Sequence, residues 1–201
     1  MGKLILVRHG ESLGNRERLF AVNPGAVPLT ELGYEQARQV AQTIATLCQP
    51  DLVVSSPFVR ARETARVVAE RLSLPLEIEP SLYERDVGVY QGQSYDALRT
   101  ATGYDPRSPW QWKPEGGESY LDVQARVGPI LDRLAKAHVS RDVVIVSHGG
   151  VMQTLWAHVT GDWVGTHAPR NCGIVLIQHD ALGYSRPQII GEVCESADAG
   201  G

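Results

Sequence analysis

Three short apolar runs, at residues 3–7, 52–55 and 143–147, each stop at a polar turn, and none shows the strict alternation of a half-exposed strand. Runs of this kind read as strands buried on both faces. Helical stretches separate them. Thr30 is placed to cap a helix to about Cys48, and Ser56 with Pro57 supplies an N-cap and N1 pair for a helix to about Leu72. The second half predicts a strand at 76–79, a short helix at 94–102 and a long helix at 119–138 that Gly128 and Pro129 should bend. A helix at 149–160 follows, and β-rich stretches at 173–178 and 188–193 close the pattern.

Strands alternating with helices predict a three-layer α/β/α sandwich with a mostly parallel central sheet, because parallel strands need crossover connections and these are nearly always helical. Ligands bind such sheets beyond the carboxyl ends of the strands. One domain is expected over residues 1–195, with a loose tail at 196–201. An irregular, lid-like insertion is expected at about 88–117. Its most loop-like part, 103–117, carries Pro106, Pro109 and Pro114.

Composition narrows the class of protein. With 201 residues, 43% apolar and 21% charged, the chain can bury one substantial core, and its net charge of -4 offers no basic footprint for nucleic acid. No apolar run is long enough to span a bilayer, residues 1–7 form no signal-peptide core, and Leu6 stands where a myristoylation signal needs Ser or Thr. Cys48, Cys172 and Cys194 are odd in number and lack any CxxC spacing, so reduced, buried thiols in a cytoplasmic protein are expected. No sequence feature sets an oligomeric state. His138, His158, His167 and His179 lack the spacing of a zinc site, and no metal or cofactor is expected.

Candidate chemistry gathers at the strand ends. Arg8 and His9 follow the first strand, His148 follows a later one, and Arg60 lies in the first turn of the helix after the second. The fold class therefore brings two imidazoles and two guanidiniums to one rim, a combination suited to a phosphate. Gly10 allows a sharp turn beside His9, Ser12 offers a hydroxyl and Asn15 an amide. Tyr104, Trp110 and Trp112 either cover this pocket or pack beneath an ordinary loop.

The residues carry a family likeness in six ordered blocks: LVRHGESLGN, PLTELGYEQA, SSPFVRARETA, LYERDVG, PEGGES and VVIVSHGGV. In these the chain resembles the histidine phosphatase superfamily, also called the phosphoglycerate mutase-like family. The resemblance implies that His9 is the nucleophile that becomes phosphohistidine, that Arg8, Arg60 and His148 hold the phosphoryl oxygens, and that Glu84 is the proton donor. By the same likeness Asn15 and the backbone of Gly149 belong to the phosphate pocket, and Ser12 and Arg85 are weaker candidates for substrate contact. The implied partner is a small phosphate ester.

Elementary chemistry supports these roles. An imidazole attacks phosphorus only when neutral, and the nearby arginines disfavour its protonated form. Fixed cationic donors can stabilise a metaphosphate-like group without a metal, and a departing alkoxide needs a carboxylic acid within reach. Between hydrolysis and mutase chemistry, the resemblance favours hydrolysis: the phosphoglycerate mutases it resembles carry an adjacent arginine pair before the GGES block to grip the substrate carboxylate, whereas Arg107 and Lys113 are the only cations here between Thr100 and Glu115. Arg85 keeps a 2,3-bisphosphoglycerate-dependent mutase as the alternative, because its counterpart in mutases contacts substrate. Tyr90 and Gln91 stand where the family commonly has a tryptophan-glutamate pair. A catalytically silent module of the same fold is the second alternative.

Overall fold

The strand that ends at the candidate nucleophile alternates its side chains between two cores. In a computed structural model that describes residues 1–191, β1 (Gly2–Arg8) points Leu4 and Leu6 to one face and Ile5 and Val7 to the other, as the two-residue period of a strand dictates. β2 (Pro50–Ser55) and β4 (Asp142–Ser147) do the same, with Val143 and Ile145 on the first face and Val144 and Val146 on the second. Both faces are apolar because both are covered.

Two helices lie on each side. α2 (Glu31–Leu47) and α3 (Val59–Leu72) pack Val40, Ile44, Ala65 and Val68 against Ile5, Val7 and Val144. α4 (Tyr120–Ala137) and α5 (Gly149–Thr160) pack Val127, Leu131, Met152 and Leu155 against Leu4, Leu6 and Ile145. Each such fully buried Leu or Ile contributes about 1.5–3 kcal/mol relative to an exposed one. Truncating Leu131 or Ile145 to alanine would cost about 2–5 kcal/mol.

The sheet order is β3-β2-β4-β1-β5-β6, with β3 at Leu76–Ile78, β5 at Ile174–Asp180 and β6 at Gly183–Tyr184. β7 (Gln188–Ile190) also pairs with β5. The four strands β3, β2, β4 and β1 are parallel, whereas β5 runs antiparallel to β1 and to both short strands after it. The expected α/β/α sandwich is therefore present with an antiparallel edge. The strand expected at 188–193 ends sooner among the described residues, and the expected tail at 196–201 lies outside them.

Local differences from the expected pattern have physical reasons. Thr30 caps α2 by accepting from the Gly33 amide at 3.1 Å, as its position predicts, and Ser119, at the expected start of α4, caps it in a reciprocal box with Asp122. α4 continues unbroken through Pro129. Ser56, by contrast, does not cap α3. That helix starts later, behind Phe58, which makes no side-chain cap, and the Ser56 hydroxyl is engaged elsewhere. A five-residue helix, α1 (Leu13–Glu17), has no counterpart in the apolar pattern because it buries no side chain and is held by its Ser12–Asn15 capping box.

The segment expected as a short helix at 94–102 is a 3-10 helix over Tyr95–Thr100. Residues 101–119 form neither helix nor strand. The aromatics there pack among themselves and their neighbours. Trp112 is buried, edge-on to Tyr90 and Tyr104, and Trp110 stacks on Trp163.

Candidate active site

Because β1 and β4 are adjacent and parallel, with Arg8 opposite Ser147, the next residue of each strand emerges at the same level. The His9 amide continues the ladder by donating to the Ser147 carbonyl at 2.9 Å. The two following side chains thus meet: the His9 and His148 rings lie 5.1 Å apart, edge to face, and both are buried. Arg60, in the first turn of α3 and only 8% exposed, completes the group from the side.

Hydrogen bonds fix the state of the His9 ring. Arg60 Nε donates to His9 Nε2 at 3.0 Å, and His9 Nδ1 lies 2.7 Å from the Gly10 carbonyl. A guanidinium can only donate and a carbonyl only accept, so Nδ1 carries the proton and Nε2 presents a lone pair. Burial foremost, then Arg60 and Arg8, holds the ring well below its ordinary pKa of 6.5. The sequence indicates the two arginines as the cause; the larger cause, burial, comes from the fold.

His148 is likewise held well below 6.5, by burial first and then by Arg60, His9 and Arg8. Its Nε2 lies 2.7 Å from the Ser56 hydroxyl, and its buried Nδ1 has no hydrogen-bond partner among the described residues. Arg8 is anchored by Nη1 to the Pro169 carbonyl at 2.9 Å, while its Nε is buried and unpaired. A Cβ placed on Gly149 would lie 3.6 Å from the Arg8 Cζ, so the first residue of α5 sits beside that guanidinium. Unpaired buried donors converging on a helix N-terminus suit an anion.

The loop after His9 is locked by backbone packing. Gly10 lies against the backbone of Gly33, and Gly33 against the Glu11 carbonyl, so closely that a Cβ on either would collide. The Gly10 amide donates to Thr64 Oγ1 at 3.0 Å. Ser12 and Asn15, both on the cavity wall, are engaged with each other, and Asn15 Oδ1 also accepts from Asn171, which donates to the His9 carbonyl at 2.9 Å. Their side chains thus brace the loop.

Glu84 approaches from the far side. Its carboxylate accepts from the Arg85 amide at 2.8 Å and from the Gly150 amide at 3.1 Å. A Cβ on Gly150 would come within 2.5 Å of Glu84 Oε1, so a glycine is needed there for the carboxylate to reach the site. Arg85 is only 8% exposed. Its guanidinium lies 4.3 Å from the Tyr120 ring centroid, and its Nη1 is unpaired.

Seven of the residues singled out from the sequence, Arg8, His9, Ser12, Asn15, Arg60, Glu84 and Arg85, border one cavity of about 340 Å3 together with Gly149, while His148 lies fully buried behind the His9 ring. Its outer wall comes from residues 19–27 and 87–98, so the 88–117 segment reaches the cavity only through its first part. Gly150, Ser56, Thr64 and Asn171 were not legible as site residues. Ser56 carries a helix-cap signal, and Asn171 meets His9 only through the tertiary fold. Among the described residues no group of three or more His, Cys, Asp or Glu could hold a metal ion, and no helix is long and apolar enough to cross a membrane.

The chain is similar to several known proteins. The chain is 33% identical over 169 residues to glucosyl-3-phosphoglycerate phosphatase of Mycolicibacterium vanbaalenii, covering 79% of this chain and 74% of that protein. It is 32% identical over 166 residues to the metal-independent phosphoserine phosphatase of Arabidopsis thaliana, covering 79% and 68%. It is equally similar, at 32% over 166 residues and covering 77% and 78%, to a 2,3-bisphosphoglycerate-dependent phosphoglycerate mutase of Rhizobium etli. The solved structure of mycobacterial glucosyl-3-phosphoglycerate phosphatase with VO3 superposes with a TM-score of 0.82 at 27% identity, covering 94% of this chain and 97% of that one. With residues 4–185 matching the family as a whole, the chain belongs to the histidine phosphatase superfamily (branch 1).

Proposed function

We propose that the protein is a metal-independent phosphomonoesterase that passes the phosphoryl group through Nε2 of His9. The observation that carries this reading is the ring's hydrogen bonding: Nδ1–H is spent on the Gly10 carbonyl, while the Nε2 lone pair faces Arg60. A neutral, correctly protonated imidazole at the centre of a cationic pocket is what attack on phosphorus requires.

In the first step Nε2 bonds to phosphorus as the ester P–O bond breaks, and Glu84 gives its proton to the departing oxygen. In the second, water attacks the phosphohistidine, returns a proton to Glu84 and releases inorganic phosphate. Arg8, Arg60, the His148 Nδ1–H and the Gly149 amide take the charge on the three equatorial oxygens, the work a metal ion does in other phosphoryl transfers. Ser12 and Asn15 act by bracing the loop, and Arg85 faces the leaving group. Cys48 and Cys172 are free but half-buried rather than buried, and Cys194 lies outside the described residues; desolvation pushes the Cys48 thiol up to about 11 and that of Cys172 up to about 12, which fits inert thiols and a cytoplasmic setting.

The decisive test is hydrolysis of p-nitrophenyl phosphate with acid-quench trapping of phosphoenzyme. Turnover that survives EDTA, is lost in His9→Ala and leaves phosphate bound to nitrogen supports the proposal; equal turnover in His9→Ala defeats it. The unpaired Arg85 guanidinium and the mutase relative favour one second reading, isomerisation of a phosphoglycerate. Conversion of 3-phosphoglycerate to the 2-isomer in the presence of 2,3-bisphosphoglycerate, without release of phosphate, would select it.

A further inference from the structure

Beyond the phosphate floor, the cavity changes character. Its walls are built from Phe20, Val27, Phe58, Tyr83, Tyr95 and Leu98, with Phe20 packed on Tyr95 at 4.7 Å between ring centroids and Phe58 on Tyr83 at 6.2 Å. Many of the polar groups on these walls are already paired. Asn15 Nδ2 donates to the Tyr95 hydroxyl, that hydroxyl donates to the Gly14 carbonyl, and Gln91 Nε2 donates to Asp86 Oδ1. Asp86 Oδ1 also accepts from the Gly88 amide, and Gln153 Nε2 donates to Thr166. The bonds leave open Asp86 Oδ2, Gln91 Oε1 and the Tyr120 hydroxyl, too few partners for all the hydroxyls of a sugar, and burying the others unpaired is costly.

Charge points the same way. Among the residues lining the cavity the cations are Arg8, Arg60 and Arg85, and the first two belong to the phosphate floor. Arg85 alone is left for the leaving group, enough for one acceptor but not for a second phosphate. The apolar character continues to the rim: Leu19, on the wall itself, is 38% exposed, and Val22 and Val89, on the same two segments that form the outer wall, are 76% and 54% exposed. A Cβ on Gly92 would lie 3.0 Å from Val22 Cγ2, which places Val22 against the 88–92 turn. Clustered exposed apolar side chains at the rim of a cavity mark a surface that meets an apolar ligand.

We infer that the ester hydrolysed here carries a bulky, largely apolar alcohol or phenol with at most one hydrogen-bond acceptor, rather than a sugar, a polyol or a second anion. The inference rests on the phosphomonoesterase reading above and names its substrate class. At roughly 30 Å3 per water-sized unit, 340 Å3 seats on the order of ten heavy atoms. A phosphate fills about half of that volume, so a chain of about six carbons reaches the mouth and the exposed Leu19, Val22 and Val89.

The test is a series of primary alkyl phosphates, ethyl, butyl, hexyl and octyl, with p-nitrophenyl phosphate as the activity control. Their leaving groups are chemically alike, so a change in kcat/KM along the series reads burial. We expect a gain of about threefold to fourfold per methylene up to hexyl, then a plateau. Hexyl phosphate should exceed glycerol 3-phosphate, glucose 6-phosphate and 3-phosphoglycerate. Leu98→Asn and Val27→Ser should each flatten the series, lowering hexyl phosphate more than ethyl phosphate. A flat series in the wild type, or a higher kcat/KM for any of the three hydrophilic esters, overturns the inference while leaving the phosphatase reading intact. Absence of turnover on every ester, p-nitrophenyl phosphate included, overturns both.

Discussion

The Ser56 hydroxyl lies 2.7 Å from His148 Nε2, with both residues fully buried. Ser56 Oγ also accepts from the Phe58 amide at 3.3 Å, and no other acceptor bonds to its hydrogen among the described residues. Its proton therefore goes to Nε2, which leaves Nδ1 as the N–H donor available to the proposed phosphoryl site. Ser56→Ala should free His148 to exchange tautomers and lower kcat/KM on p-nitrophenyl phosphate by about 10–100-fold. Ring nitrogen NMR shifts of His148 check the cause, since a loss of packing alone would not move them. Unchanged shifts and an unchanged rate would refute the assignment.

Glu84→Gln should slow hydrolysis of alkyl phosphates by about 10²–10⁴-fold and of p-nitrophenyl phosphate much less, because nitrophenolate departs without a proton. Gly150→Ala should reproduce that asymmetry without touching the carboxyl chemistry, since the new methyl group would displace Glu84 Oε1. Equal losses on both substrates in either variant would remove Glu84 from the proton-donor role.

Arg60→Lys keeps a positive charge but loses the planar fork that donates both to His9 Nε2 and to the Pro24 carbonyl. A loss of about 10²–10³-fold in kcat is expected, with the fold intact by circular dichroism. If lysine restored near-full rate, charge alone rather than directed donation would be what Arg60 supplies.

Stability should fall in mild acid. His9 and His148 titrate well below 6.5 in the folded protein, whereas the unfolded chain takes up their protons near 6.5. As pH drops below 6.5 the unfolded state binds more protons, so unfolding is favoured by up to about 1.4 kcal/mol per pH unit per histidine until the folded pKa is reached. Above 6.5 the two contribute no slope. Urea melts between pH 7 and 5 should show the decline, and it should be shallower in His9→Gln. An identical slope in that variant would disprove the contribution of His9.

What could be read from the sequence was whatever rests on long apolar periods and on residues adjacent in the chain. The runs ending at Arg8 and Ser147 marked β1 and β4, and Thr30 and Ser119 marked the starts of α2 and α4, because buried strands and helix caps are local demands. The antiparallel edge was less accessible, since the direction of β5 depends on pairing with a strand far away in sequence. The supporting residues escaped for the same reason. Ser56 presents a cap signal that the fold diverts to an imidazole, and Asn171 reaches the His9 carbonyl across 162 positions. The aromatic segment at 103–117 could be placed only once Trp112 was found against Tyr90 and Tyr104.

The register of β1 against β4 has a wider consequence. The two imidazoles are 5.1 Å apart because neighbouring strands lie about 4.8 Å apart, so their spacing is a dimension of the hydrogen-bonded ladder itself. Insertions or rewritten residues in the rim segments can then alter which ester the cavity accepts without disturbing the distance between the two rings. Chemistry is anchored to the sheet and selectivity hangs from the loops, which lets the two diverge at separate rates.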